Sequence, residues 1–299
     1  SVGARGQALG GAHAGLPGAP EAFLANPAAL ARVDGSGASA AFHLGAEDLS
    51  YGALAAVHPV LPWLGAGLAL QTLAAGTIEA HDYAGNLLTA RLEDDLLATA
   101  GCAARAGPVG LGVAVKAGRS TLIGTEHASF FAGDLGADVR LEFEEPEGPP
   151  PWPAPAWMRL GFAVANLGPR VRFGTAAVGA DDAPLAFRLG ASLGKPLSPE
   201  MSLLGVLAVT MPRATTRAET FGGLEVARTV HGVVLAARAG FRARPGIGVL
   251  SAGLGAGWRG ASLDYAFIAR DDPFGATHHV SATFDLGAHR RSLKPAPEP

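Results

Sequence analysis

A hydrophobic period of two, held for about ten residues at a time and repeated fourteen times along 299 residues, limits this chain more than any other feature of its sequence. In SFFAGDLGADVRLEF, residues 129–143, Phe131, Leu135, Ala137, Val139, Leu141 and Phe143 fall on one parity. Asp134, Asp138, Arg140 and Glu142 fall on the other. Successive side chains of a strand leave opposite faces, so this segment has an apolar face and a charged one. The same pattern, punctuated by turn residues, predicts strands over 37–44, 50–58, 65–73, 95–105, 109–118, 129–142, 157–166, 184–193, 201–210, 219–228, 232–242, 247–257, 261–269 and 277–287. Charge keeps to one face elsewhere too: Leu185, Phe187, Leu189 and Leu193 oppose Arg188 and Ser192, and Leu235, Ala237 and Phe241 oppose Arg238 and Arg242.

Two architectures share this alternation. In a soluble sandwich the apolar faces turn inward, whereas in a transmembrane barrel they turn to lipid and the charged set lines the interior. Strand length favours the barrel, because about 9–11 residues suit a tilted bilayer crossing while soluble strands centre on about 5–6. The polar faces carry chiefly Gly, Ala, Ser and Thr, and charged residues make up only 16 % of the chain against roughly 25 % in typical soluble domains. An even number of strands returns both ends of a closed antiparallel barrel to one side. The expected fold is all-β: a fourteen-stranded antiparallel transmembrane barrel over 36–287. Phe131, Phe143, Trp157, Phe241, Trp258, Tyr265 and Phe284 are candidates for aromatic girdles. Cys102 is alone, which precludes an intrachain disulfide, and reads as a small core residue.

The connections alternate in length. With the amino terminus on the periplasmic side, the short segments 59–63, 107–108, 195–200, 229–231 and 259–260 share one end. The longer 74–94, 119–128, 167–183, 211–218 and 270–276 share the other, the asymmetry of outer-membrane barrels. EEPEGPPPWPAPA (144–156) breaks this order; its prolines exclude regular structure and favour extended polyproline, as a stiff solvated insertion or a partner contact. Residues 288–299 read as a disordered tail. Residues 1–35 do not alternate. Short helices are expected at Pro20–Leu24 and Pro27–Ala31, each with proline in the first turn, and Asn26 is placed to cap the second. Such an element suits a hatch inside the barrel, with Arg5, Asn26, Pro27 and Ala28 as its candidate functional residues.

The segments GARGQALGGAHAG and AFLANPAALARV resemble the amino-terminal signature of the PorV/PorQ family and, more loosely, of FadL-type fatty-acid channels. LGVAVKAG (111–118), FAVANLGP (162–169) and THHVSATFDLG (277–287) follow in the family's order. The resemblance implies a fourteen-stranded outer-membrane barrel with an amino-terminal hatch. It also implies either the receipt and transfer of secreted proteins in a type IX pathway or, for the FadL branch, passage of hydrophobic small molecules.

Enzymatic chemistry is not indicated. GASLGKP (190–196) has three residues between its glycines where a phosphate loop needs four, and Pro196 where that loop needs Ser or Thr. No Gly-x-Ser-x-Gly elbow occurs, and His278 and His279 are strand neighbours that point to opposite faces, which argues against a shared metal. Lys116, Asp134, Asp138, Arg140, Glu142, Arg159, Arg188, Glu225, Arg238, Arg242, Asp264 and Asp285 are the candidate lining of the lumen, expected to neutralise one another in a network of ion pairs.

The expectation is thus a non-catalytic protein without a cofactor or metal, resident in a bacterial outer membrane after loss of a signal peptide ahead of Ser1. A net charge of −3 gives no basic footprint for nucleic acid. Its expected partners are outer-membrane lipid, together with secreted proteins, other subunits of an outer-membrane complex, or a hydrophobic small ligand.

Overall fold

The computed structural model describes residues 3–45, 49–81, 86–123, 126–143, 155–171, 183–214, 217–244, 247–269 and 275–286. Fourteen strands follow in sequence: β1 Gly37–Leu44, β2 Ser50–Leu61, β3 Leu64–His81, β4 Leu87–Ala106, β5 Val109–Leu122, β6 Glu126–Glu142 and β7 Trp157–Leu167 make one half. The other half is β8 Ala186–Ser198, β9 Met201–Pro212, β10 Glu219–Val230, β11 Val233–Arg244, β12 Ile247–Trp258, β13 Ala261–Ala269 and β14 Thr277–Asp285. Every strand pairs antiparallel with its sequence neighbours, and β14 closes on β1, where Gly37 faces Asp285 and Leu44 faces His278. Closure leaves no sheet edge along the matched part of the wall.

The direction of the faces is settled by burial. Leu135 is 51 % exposed, whereas Asp134 is 2 % and Asp138 1 % exposed. Leu54, Leu68, Leu111, Val115, Leu250 and Leu254 stand outward in the same way. The polar faces therefore line the interior, and a sandwich is excluded by the closed pairing. Among the described residues no helix is long and apolar enough to cross a membrane.

The strand ends differ from the sequence reading in places. Residues 74–94 are not a long loop: β3 runs on to His81 and β4 starts at Leu87, because the pairing continues through Thr77 with Arg91 and His81 with Leu87. Likewise β5 and β6 take up most of 119–128. At the short-turn end, β2 runs through Pro59 and β8 through Pro196, each at a register shift; proline lacks an N–H for the ladder and is tolerated at such bulges. His231 and Gly232, and Arg259 and Gly260, form tight turns in which both residues have positive φ, the backbone that matches strand twist in two-residue hairpins. Cys102 is exposed on the outer wall rather than in a core; alanines on both sides of it had left its face unmarked. Trp157 turns inward, its ring 5.1 Å under the Arg140 guanidinium, and so is no girdle residue. Most of 144–156 and 167–183 and all of the 288–299 tail lie outside the described residues.

Residues 3–33 sit inside the barrel. Helix α1 spans Ala4–Ala8, and three 3-10 turns follow at His13–Gly15, Pro20–Leu24 and Pro27–Arg32. Phe23, Leu24, Leu30 and Ala31 pack on the inward alanines and valine of β2, β3 and β4, namely Ala53, Ala55, Val57, Ala69 and Ala103. Small wall residues opposite large ones from the inserted segment account for the Ala-rich polar faces seen in the sequence.

Candidate functional site

The interior is built by fitting residues 3–33 to the wall, and the fit is made differently on its two sides. On the α1 side, Ala4 and Ala8 are fully buried against Ala266. Opposite them, the Arg5 guanidinium donates to both Glu225 oxygens at 2.8 Å and to the Pro17 carbonyl at 2.8 Å. Glu225 is shared with Arg238, which in turn reaches Asp264 at 2.6 Å. Two guanidinium groups and two carboxylates thus neutralise one another in a buried cluster, the arrangement under which enclosed charge is tolerated. The free backbone ends of α1 are met by wall hydroxyls: Ala4 N–H donates to Ser281 Oγ, Gly10 N–H to Ser251 Oγ, and Ser251 donates to the Ala8 carbonyl. Gly10 has φ +75°, and a Cβ there would strike the Phe241 backbone, so only glycine allows this approach.

On the other side, Asn26 is 1 % exposed and its amide carries the local structure. Its side-chain oxygen accepts from Ala28 N–H at 3.0 Å, capping the turn that begins at Pro27. Its Nδ2 donates to the Ala137 carbonyl on β6 at 3.1 Å and to Ala14 at 3.4 Å. A Cβ on Gly136 would collide with the Asn26 oxygen. Arg188 donates to the Leu24 and Ala25 carbonyls at 3.2 and 3.1 Å, satisfying the end of the preceding turn. Arg32 joins Asp138 from the inserted segment at 3.0 Å, and Arg159 joins the same carboxylate from β7 at 2.6 Å. Lys116 meets Asp134 at 2.6 Å; Asn166, held at φ +63°, donates its N–H to that carboxylate and accepts from Lys116.

The candidate lining residues therefore form separate groups rather than one network. Lys116, Asp134, Asp138, Arg159, Arg188, Glu225, Arg238 and Asp264 face the inserted segment or neutralise each other beside it. Arg140 and Glu142 pair with each other at 3.2 Å near the short-turn end. Arg242 pairs with Glu219 at 2.7 Å near the opposite mouth. Asp285 is at the short-turn rim, lining the lower cavity. Of the amino-terminal candidates, Arg5 and Asn26 make the contacts above, and Pro27 and Ala28 are buried under the cap. Sequence reasoning passed over Arg32, Glu21 and His13. A signal was present: Arg5, Glu21 and Arg32 are the only charged residues before Asp34, and a charge in an otherwise apolar inserted segment needs a partner or a purpose.

Of the cavities that border the inserted segment among the described residues, two lie on opposite sides of it. One, about 370 Å³, opens toward the mouth with the long connections and is lined by His13, Glu21, Leu24, Leu97, Arg188 and Phe221. The other, about 420 Å³, opens at the short-turn end beside Arg5, Glu21, Glu225, Trp258 and Asp264. Glu21 borders both. It is 5 % exposed, one carboxylate oxygen has no hydrogen-bond partner, and the other packs against Gly3, where a Cβ would collide with it. His13 packs its ring against Gly6 in the same manner, and its Nε2 is also buried without a partner. Burial above all, with the positive charge of the amino terminus and of Arg188 adding to it, lowers the His13 pKa from 6.5 to about 3.

No family model matches the chain, and no curated protein is a significant match. Solved structures do match. The toluene transporter TbuX of Ralstonia pickettii aligns over 94 % of this chain and 96 % of its own, with 11 % identity and a TM-score of 0.54. The toluene transporter TodX of Pseudomonas putida aligns over the same shares with 12 % identity and a TM-score of 0.55. A FadL homologue of Pseudomonas aeruginosa covers 95 % of this chain and 98 % of its own, with 14 % identity and a TM-score of 0.51. At such identities what is shared is the fold, end to end: this chain has the fold of the toluene transporters and of the FadL homologue.

Proposed function

We propose that the chain spans a bacterial outer membrane and provides a passage for small hydrophobic molecules, with residues 3–33 as its plug. The observation that carries this reading is the pairing of an outward apolar wall with an interior in which two cavities approach each other through the plug, Glu21 bordering both. An outward belt of Leu, Val and Phe is stable in hydrocarbon, and a charge moved onto it would cost roughly 2–4 kcal/mol at mid-bilayer. The apolar and hydrogen-bonding groups of the upper cavity, Leu24, Leu97 and Phe221 beside Arg188, suit a small molecule with an apolar body. The likeness to toluene transporters supports the same reading. Handling of secreted proteins is supported only by the sequence motifs that resemble the PorV/PorQ family. The test is uptake of a neutral aromatic by cells whose outer membrane carries the full chain, compared with cells lacking it. Uptake above that background is expected; uptake equal to the background sinks the proposal.

A further inference from the structure

Glu21 is the single acidic residue of the inserted segment before Asp34, and no catalytic, metal or ion-pairing requirement explains it. Among the described residues one of its carboxylate oxygens has no hydrogen-bond partner, and Arg5 lies near enough to feel its charge. It lines the cavity on each side of the plug. Its other oxygen packs against Gly3, just before α1, while Arg5 shares the lower cavity with it and is itself bonded to Glu225 and the Pro17 carbonyl. A buried carboxylate without a direct partner is costly, and a site that keeps one at the neck between two cavities gains discrimination by charge. In a partly buried neck, two like charges a few ångströms apart repel more than in bulk water.

Resting on the reading of the chain as a passage, we propose that Glu21 is its selectivity residue: the path between the cavities runs past the Glu21 carboxylate, which admits uncharged and ammonium-bearing apolar molecules and refuses carboxylates. Arg188 sharpens the filter. It donates to the carbonyls of Leu24 and Ala25 and lines the upper cavity, so an organic acid is held there and stopped at the next step. Lys116, in the same cavity, is already neutralised by Asp134.

Benzyl alcohol, benzylamine and benzoate share one ring and differ only in charge, and their uptake by cells carrying the full chain, less that of cells without it, tests the filter. Uptake of the alcohol and the amine is expected to exceed that of benzoate at least tenfold, and Glu21→Gln is expected to raise benzoate uptake at least tenfold while leaving the alcohol within twofold. Equal uptake of benzoate and benzyl alcohol by the unaltered chain overturns the filter, as does a Glu21→Gln protein that folds and still refuses benzoate. Should Glu21→Gln fail to fold, the ratio of the three probes in the unaltered chain still decides. If none of the three exceeds the background, it is the passage itself that fails, and the two failures are therefore distinguishable.

Discussion

The two halves of the inserted segment are held to the same wall by different forces. Residues 20–33 bring Phe23, Leu24 and Leu30 into a cluster with five small wall residues, and add backbone hydrogen bonds through Asn26 and Arg188. The α1 half brings Ala4 and Ala8 to Ala266 and Leu9 and Leu16 into a cluster with Leu204, Val206 and Phe221, and adds the Arg5 bridge to the Glu225–Arg238–Asp264 charge cluster. Burial of large apolar side chains is non-directional and needs no charged partner. A charge cluster differs: it depends on every member being present. The 20–33 half is thus seated chiefly round Phe23, with Arg32 on Asp138 beside it, while the α1 half shares its seat between Leu9 and Leu16 and a charge cluster that one lost member weakens.

The comparison can be broken from either side. The largest effect is expected from Phe23→Ala, which opens a cavity at a side chain 1 % exposed and should cost the 20–33 seat about 3–5 kcal/mol, read as faster hydrogen exchange at 22–32 with 4–10 little changed. Next, Arg5→Ala leaves Glu225 and Asp264 facing Arg238 alone and should weaken the α1 seat by up to about 3 kcal/mol, with protease reaching 3–10 first. Adding Glu225→Ala should return part of that loss, a coupling that a double-mutant cycle measures; additive losses would show the bridge to be idle.

Acid should act on the α1 side as well. His13 is held neutral by burial, with its pKa lowered to about 3, whereas in the unfolded chain it protonates near 6.5. Its contribution is therefore complete above about pH 6.5 and is lost as pH falls toward 3, reaching about 2 kcal/mol at pH 5. Hydrogen exchange at 4–15 should accelerate over that range, and His13→Gln should flatten the dependence. The smallest effect is expected from Asn26→Ala, at about 1–2 kcal/mol for the lost cap, sharpening the comparison because it loosens 26–30 without disturbing Arg5.

The barrel was legible in the sequence because period two is a local signal. Asp134 and Leu135 alone state which faces differ, and low charge with long strands states which face is inside. The tops of β3 and β4 were hidden because Glu93, Asp94 and Asp95, and the turn-forming residues near 81–86, imitate a solvated loop. Cys102 and Trp157 were misplaced for a related reason: with Ala and Gly on both parities around Cys102, and an arginine awaiting Trp157 from another strand, the face is decided by tertiary contact. Asn26 was readable from its position before proline. Arg32 and Glu21 were marked only as charges in an otherwise apolar segment, and their surroundings, like those of His13, were not legible, since the path of an aperiodic segment through a closed barrel is set by tertiary contact.

The uneven strand lengths carry one more lesson. β3 continues seven residues past Ala74, the partner of the first residue of β2, and at roughly 3.3 Å per residue that lifts one sector of the rim by about 20 Å along the strand. The opening is consequently oblique, like the cut end of a quill. Among the described residues the low sector is that of β13 and β14, which stop after nine residues each, and the raised one is that of β3 and β4.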